Sequence, residues 1–243
     1  MNACNHNFGT GEKITWCPGC FNSSILLSLK KALNDLAVEG TIDPMKVVLV
    51  ADIGCGGKIY DYIETSAVYA LHGRVIPTAM GVKIGNPDLT VIGFAGDGGT
   101  YNEGLGHFLQ ASRLNPDVTM IIANNGVFAL TKGQPTATGD LSGKTVNPLS
   151  LAYEAGASFL ARGSSFDPIG LSAMIKRAIL HKGFSVLDII QPCIIFNDNT
   201  VDLRKKIKPF TGGDSTRDAL RDSNSSGEIR TGVIFEAGSS LEK

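Results

Sequence analysis

The sequence predicts an α/β fold built on an open, mostly parallel sheet flanked by helices. Three observations predict it. Short apolar runs of strand length recur along the chain, segments with helical spacing separate them, and the polar, glycine-rich segments follow the runs. Strands alternating with helices build parallel sheets through right-handed crossovers. Ligands in such sheets bind beyond the carboxyl ends of the strands, so the glycine-rich segments are where chemistry is expected.

Taken in order, residues 1–13 are polar and expected to be irregular, and TWCPGC at 15–20 is a compact loop. Apolar residues at 25, 26, 29, 33 and 36, with charges between them, predict a helix over 23–36. KVVLVA at 46–51 predicts the first buried strand, which ends in the flexible loop DIGCGG at 52–57. Short helices are expected over 65–71 and 78–84. LTVIGFA at 89–95 predicts the second strand and runs into GDGG at 96–99. A helix over 102–114, apolar at Leu105, Phe108, Leu109 and Leu114, leads to the third strand, VTMIIA at 118–123, closed by NNG at 124–126. A helix over 169–181 precedes the fourth strand at 186–190. From Asn197 the chain turns polar and charged, and VIFEAGSSLEK at its end is expected to supply one last short strand. The division predicted is one domain over 1–196 and an arm or subunit-contact segment over 197–243.

A length of 243 residues suits one substantial core. With 22 Lys and Arg against 23 Asp and Glu, the chain has no electrostatic reason to seek nucleic acid or an acidic membrane. A single Trp argues against base-stacking platforms. The N-terminal MNACNHNFGTGEK lacks an apolar leader and no apolar run is long enough to span a bilayer, so a cytoplasmic location is expected. Cysteines stand at 4, 17, 20, 55 and 193, an odd number that favours metal or redox chemistry over a disulfide framework.

The strongest chemical signal is a pair of loops. GDG follows one predicted strand, NN follows the next, and Asn125 lies 28 positions after Asp97. One helix joins the two strands that these loops follow, so the loops should lie side by side. Asp97 and Asn125 offer the oxygens that magnesium takes alongside phosphate oxygens, with the Val127 carbonyl as a third protein ligand. Gly96 and Gly98 let backbone N–H groups approach phosphates, and a helix starting near Asn102 adds its positive dipole end. GDG alone is usually only a turn; its pairing with NN is what points to a cofactor. Neither a Rossmann fingerprint nor a P-loop is present. Cys17 and Cys20 form a C-x-x-C loop, while Cys55 and Cys193 follow strands. Four thiolates brought together hold either zinc or a [4Fe–4S] cluster, and their spacing does not choose between them.

Together TWCPGC, IGCGGK, HGR, GDG with HF, NNGVFALTKGQ, and HKGFSVLDIIQPC followed by FN span most of residues 15–197. In these segments the sequence resembles the beta subunits of 2-oxoacid:ferredoxin oxidoreductases in their short multi-subunit form. The resemblance implies a thiamine diphosphate-binding fold in which Asp97, Asn125 and Val127 hold Mg2+. It also implies that Gly54, Cys55, Lys58 and His72, with Gly96, Gly98 and Thr131, line the cofactor pocket, and that Leu130, Thr131 and Lys132 face the substrate. Cys17, Cys20, Cys55 and Cys193 are implied to bind one [4Fe–4S] cluster, leaving Cys4 as a free thiol. The implied reaction converts a 2-oxoacid, pyruvate or 2-oxoglutarate, and coenzyme A into an acyl-CoA and CO2, with electrons passing to ferredoxin. An alpha subunit that brings the glutamate activating the cofactor is implied, in an α2β2 assembly; Glu103 is read as a solvated helix residue. Phe21-Asn22 after TWCPGC, Gly99 after GDG, and Phe128-Ala129 before LTKGQ depart from the usual family pattern. Two other readings remain at this point: a non-oxidative thiamine diphosphate decarboxylase, which leaves the cysteines idle, and an electron-transfer or structural zinc module, which leaves GDG and NN idle.

Overall fold

The computed structural model describes residues 7–139, 145–210, 215–225 and 227–238; Cys4 lies outside the described residues. Helix α1 (Asn22–Val38) leads to strand β1 (Val47–Ala51), and β2 (Ser66–Tyr69), α2 (Val75–Gly85) and β3 (Thr90–Gly96) follow. Next come α3 (Leu105–Leu114), β4 (Val118–Asn124) and the small strands β5 (Val127–Phe128) and β6 (Gln134–Pro135). The rest is α4 (Pro148–Ala155), β7 (Phe159–Ser164), α5 (Pro168–Leu180), β8 (Phe184–Ile190), α6 (Thr200–Lys206), β9 (Ile207–Pro209), α7 (Thr216–Ser225) and β10 (Ile229–Glu236).

Eight strands form one sheet in the order β2-β1-β3-β4-β8-β7-β10-β9. Neighbours run parallel except β7 and β10. The apolar runs are explained by burial on both faces. Val47 and Leu49 join a core with Ile25, Leu29 and Leu33 of α1 and Leu171 and Ile175 of α5. Val48 and Val50 join the opposite core with Val75 and Ala79 of α2, Phe108 of α3 and Leu149 of α4. Successive side chains of a strand point to opposite faces, so a strand covered twice reads as continuously apolar. Each fully buried Leu or Ile contributes roughly 1.5–3 kcal/mol. No helix among the described residues is long and apolar enough to cross a membrane.

The expected helix over 65–71 is instead the edge strand β2, which pairs in parallel with β1 from Ser66 to Tyr69. A seven-residue helix is marginal by itself, whereas the open edge of β1 satisfies the segment's backbone groups. The helix expected over 102–114 is divided. A wide helical turn begins at Gly98, directly after Asp97, and α3 proper starts at Leu105. Strand β7 and helix α4 are additional to the expected elements. Beyond 197, β10 pairs antiparallel with β7, which places the expected last strand within the main sheet.

Candidate active site

Strands β1, β3, β4 and β8 are consecutive neighbours in the sheet, so the loops after them meet along one edge. Between these loops lies a cleft of about 470 Å³. Gly54, Cys55, His72, Gly96, Asp97, Gly98, Asn125, Val127, Leu130 and Thr131 all line it. Two of the residues expected at the cofactor and substrate do not. Lys58 is paired with Asp61 at 3.1 Å on the surface. Lys132 stands exposed beside the cleft in a left-handed backbone conformation, φ 76°. Sequence reasoning missed Phe128, Gln134 and Gln191 as part of the wall, and Glu103 lines it too.

Asp97 is buried, and its hydrogen-bond donors among the described residues are all neutral. Its Oδ2 accepts from the Gly126 N–H at 3.2 Å and the Thr136 hydroxyl at 2.5 Å, and lies 2.9 Å from the Thr138 hydroxyl. Its Oδ1 takes only a long bond, 3.4 Å, from the Asn125 N–H. Oδ1 is therefore the oxygen with capacity left for a cation. Burial pushes the Asp97 carboxyl up to about 6, against the lowering effect of the two threonines. A divalent cation offsets that burial cost, so the donor set fits magnesium. Thr136 and Thr138 carried no signal in the sequence, because their contact with Asp97 depends on how the segment after β6 folds back.

The Asn125 side-chain oxygen accepts from the Val127 N–H at 3.0 Å, which shapes the turn, and the Asn197 amide donates to the Asn125 carbonyl at 2.8 Å. Asn197 also donates its own N–H to the Cys193 carbonyl at 2.9 Å. The FN segment thus fastens the cysteine loop after β8 to the Asn125 loop. Glycines here serve close packing. A β-carbon on Gly98 would stand 2.4 Å from the Phe128 ring, and one on Gly57 would stand 1.6 Å from the Asp52 carbonyl oxygen. The backbone contact at Gly57 cannot yield cheaply. Gly57→Ala is expected to lower stability by about 1–3 kcal/mol in thermal melts; an unchanged melting temperature would mean that the 52–57 loop packs less tightly.

The four cysteines Cys17, Cys20, Cys55 and Cys193 are free thiols. Their loops are stitched together. The Trp16 indole donates to the Cys55 carbonyl at 2.5 Å, and the Cys20 N–H to the Cys17 carbonyl at 2.9 Å. The Gln191 amide donates to Asn22 Oδ1 at 3.0 Å, joining the end of β8 to the start of α1. Burial pushes the Cys20 thiol up, and Cys17, Cys55 and Cys193 add to the rise. Burial does the same for Cys55, with Cys193 and Cys17 adding to it. Among the described residues, no three His, Cys, Asp or Glu side chains form a group ready to hold a single metal ion. The cysteines are mutual electrostatic neighbours, and their thiolates are the ligand type that iron–sulfur clusters take.

Residues 52–189 match the family described as thiamine pyrophosphate enzyme, C-terminal TPP binding domain. The sheet and its strand-end cleft are thus those of a thiamine diphosphate-binding domain, thiamine pyrophosphate being the same compound. The 2-oxoacid:ferredoxin oxidoreductase subunit beta of Saccharolobus solfataricus is 45% identical over 196 residues, 75% of this chain and 63% of that protein. The 2-oxoglutarate synthase subunit KorB of Archaeoglobus fulgidus is 35% identical over 189 residues, 73% of this chain and 69% of that protein. A solved structure of 2-oxoglutarate:ferredoxin oxidoreductase from Magnetococcus marinus, with 2-oxoglutarate, coenzyme A and succinyl-CoA bound, has a TM-score of 0.87. It is 28% identical, and the likeness covers 97% of this chain and 85% of that one. The chain belongs to the beta subunits of the 2-oxoacid:ferredoxin oxidoreductase family. It spans somewhat less than two thirds of the Saccharolobus protein, 63% of its length.

Proposed function

We propose that this chain is the beta subunit of an enzyme that oxidatively decarboxylates a 2-oxoacid, pyruvate or 2-oxoglutarate, with coenzyme A. The observation that carries the reading is the place of Cys55. It lines the cleft that holds Asp97 and Asn125, and its thiol also feels those of Cys193 and Cys17. One residue shared by the cofactor wall and the cysteine group makes a short route for electrons.

When bound, thiamine diphosphate supplies the electron sink for loss of CO2, and a [4Fe–4S] cluster supplies the electron acceptor. Asp97 through Oδ1, the Asn125 side chain and the Val127 carbonyl would hold the magnesium ion. Cys17, Cys20, Cys55 and Cys193 would hold the cluster. Gly54, His72, Gly96, Gly98 and Thr131 would enclose the cofactor, with Leu130 beside the reacting end. Lys132 would meet the substrate carboxylate as a point charge on a flexible stem. Its left-handed backbone, uncommon for a residue with a β-carbon, favours a functional role for this loop.

An alpha subunit would complete the site and contribute the activating glutamate, in an α2β2 assembly, with ferredoxin taking the electrons. Exposed apolar side chains support a partner surface: Leu130 in the cleft wall is 60% exposed and Leu71, next to His72, is 78% exposed.

The test is anaerobic co-expression with the encoded alpha subunit, followed by assay of 2-oxoacid-dependent viologen or ferredoxin reduction. Iron, sulfide and thiamine are quantified on the same sample. About four irons per chain, bound thiamine diphosphate and coenzyme A-dependent reduction are expected. Zinc without iron, and no reduction after anaerobic reconstitution, would sink the reading. CO2 release without any electron transfer would favour a non-oxidative decarboxylase.

A further inference from the structure

We propose that Asp52 is a positioning residue, whose buried carboxylate holds the His72–Gly73 turn so that the imidazole faces the cofactor cleft. The proposal rests on the thiamine diphosphate reading, because the ligand that His72 would serve is that cofactor.

Asp52 follows β1 and continues its ladder, donating its N–H to the Phe94 carbonyl at 3.0 Å. The residue is 1% exposed. Its Oδ1 accepts from the Gly73 N–H at 3.0 Å, while its Oδ2 has no hydrogen-bond partner among the described residues. Burying a carboxylate with one oxygen unsatisfied is costly. The fold nevertheless makes room for it. A β-carbon on Gly99 would lie 1.8 Å from Asp52 Oδ2, so only glycine fits there while Asp52 is present. A β-carbon on Gly73 would lie 2.6 Å from that of Glu103. Arg74 fixes the same turn from the other side, donating to the Gly73 carbonyl at 3.2 Å and the Glu103 carbonyl at 3.3 Å.

The turn this carboxylate holds carries His72. Burial pushes the Asp52 carboxyl up, and the His72 imidazole is the first influence that opposes the rise. The imidazole lines the cleft, with Nδ1 3.6 Å from Glu103 Oε2 and its ring 6.1 Å from that of Phe128. It therefore stands within reach of the Glu103 carboxylate, while the Asp52 carboxylate holds the turn that carries it. An asparagine keeps an acceptor for the Gly73 N–H, but a neutral one, and a hydrogen bond to a charged acceptor is roughly twice as strong. The negative charge therefore strengthens the hold on the turn that carries the imidazole.

The experiment measures magnesium-dependent thiamine diphosphate binding by calorimetry on the complex with its alpha subunit. Wild type is compared with Asp52→Asn, His72→Gln and the double variant. Asp52→Asn is expected to weaken binding roughly tenfold, as loss of an outer-layer orienting group does. The double variant is expected to bind no more weakly than His72→Gln alone, because the two side chains act as one unit. Wild-type affinity in Asp52→Asn, or losses that simply add, would overturn the proposal. Absence of binding by the wild type would overturn the cofactor reading and this proposal with it. Should Asp52→Asn fail to fold, the pair Asp52→Gly with Gly99→Asp returns a carboxylate to the same space from the opposite loop. That pair is expected to bind more tightly than Asp52→Gly alone, and no gain over it would overturn the proposal.

Discussion

Asp97→Asn is expected to stabilise the cofactor-free protein while abolishing magnesium-dependent cofactor binding. Asparagine keeps an acceptor for Thr136 and Thr138 and removes a buried charge. The carboxyl of Asp97 is raised from 3.8 to about 6 in the folded chain. Between those values the folded state binds more protons than the unfolded state, so stability falls as pH rises through the window and stays low above it. The difference between the two proteins should grow across this window to an order of 3 kcal/mol. Asp52 and Asp188 are raised by burial in the same direction, so the fall in the wild type is steeper than the difference alone. Melts of both proteins from about pH 4 to 7, with and without magnesium and thiamine diphosphate, check it. A variant that still bound the cofactor through magnesium would remove Asp97 from the metal site. A difference independent of pH would mean that Asp97 is not strained by burial.

Cys55→Ser is expected to remove the cluster and to lower 2-oxoacid-dependent viologen reduction at least about a hundredfold. Serine replaces a soft thiolate ligand with a hydroxyl, which is far harder to deprotonate. Cys193→Ser should match it in iron loss. Cofactor binding should survive better in Cys193→Ser, because Cys193 does not line the cleft whereas Cys55 does. Iron and sulfide analysis, with cofactor content on the same samples, separates the two effects. Unchanged iron in both variants would reduce these cysteines to structural thiols.

The strands β1, β3 and β4 were legible because each is buried on both faces, which leaves a continuous apolar run in the chain. The pairing of GDG with NN was legible for a related reason. Their strands are neighbours, and one crossover separates them in sequence. Strand β7 was not legible, because Arg162 interrupts its apolar pattern. The interruption is tolerated because Arg162 reaches Asp188 on the adjacent strand β8, 4.0 Å away, and donates to the Arg230 carbonyl at 3.3 Å. The same holds for Asp188, which accepts from the Tyr101 hydroxyl at 2.9 Å and the Asn124 amide at 3.1 Å.

The segment at 65–71 was misread for want of its partner, since a short apolar stretch becomes strand or helix according to what lies beside it. Asp52 looked like one more polar residue in a flexible loop, and nothing local marks it as buried under a turn 21 residues further on. The alternation of strands and helices, the loops that carry chemistry, and the residue types available there are all written locally in the chain. Which of those side chains meet, which oxygen of Asp97 stays open, and which buried charges are tolerated follow from how the folded chain packs. Those outcomes depend on contacts between segments distant in the chain, where burial and pairing set the energy of each group.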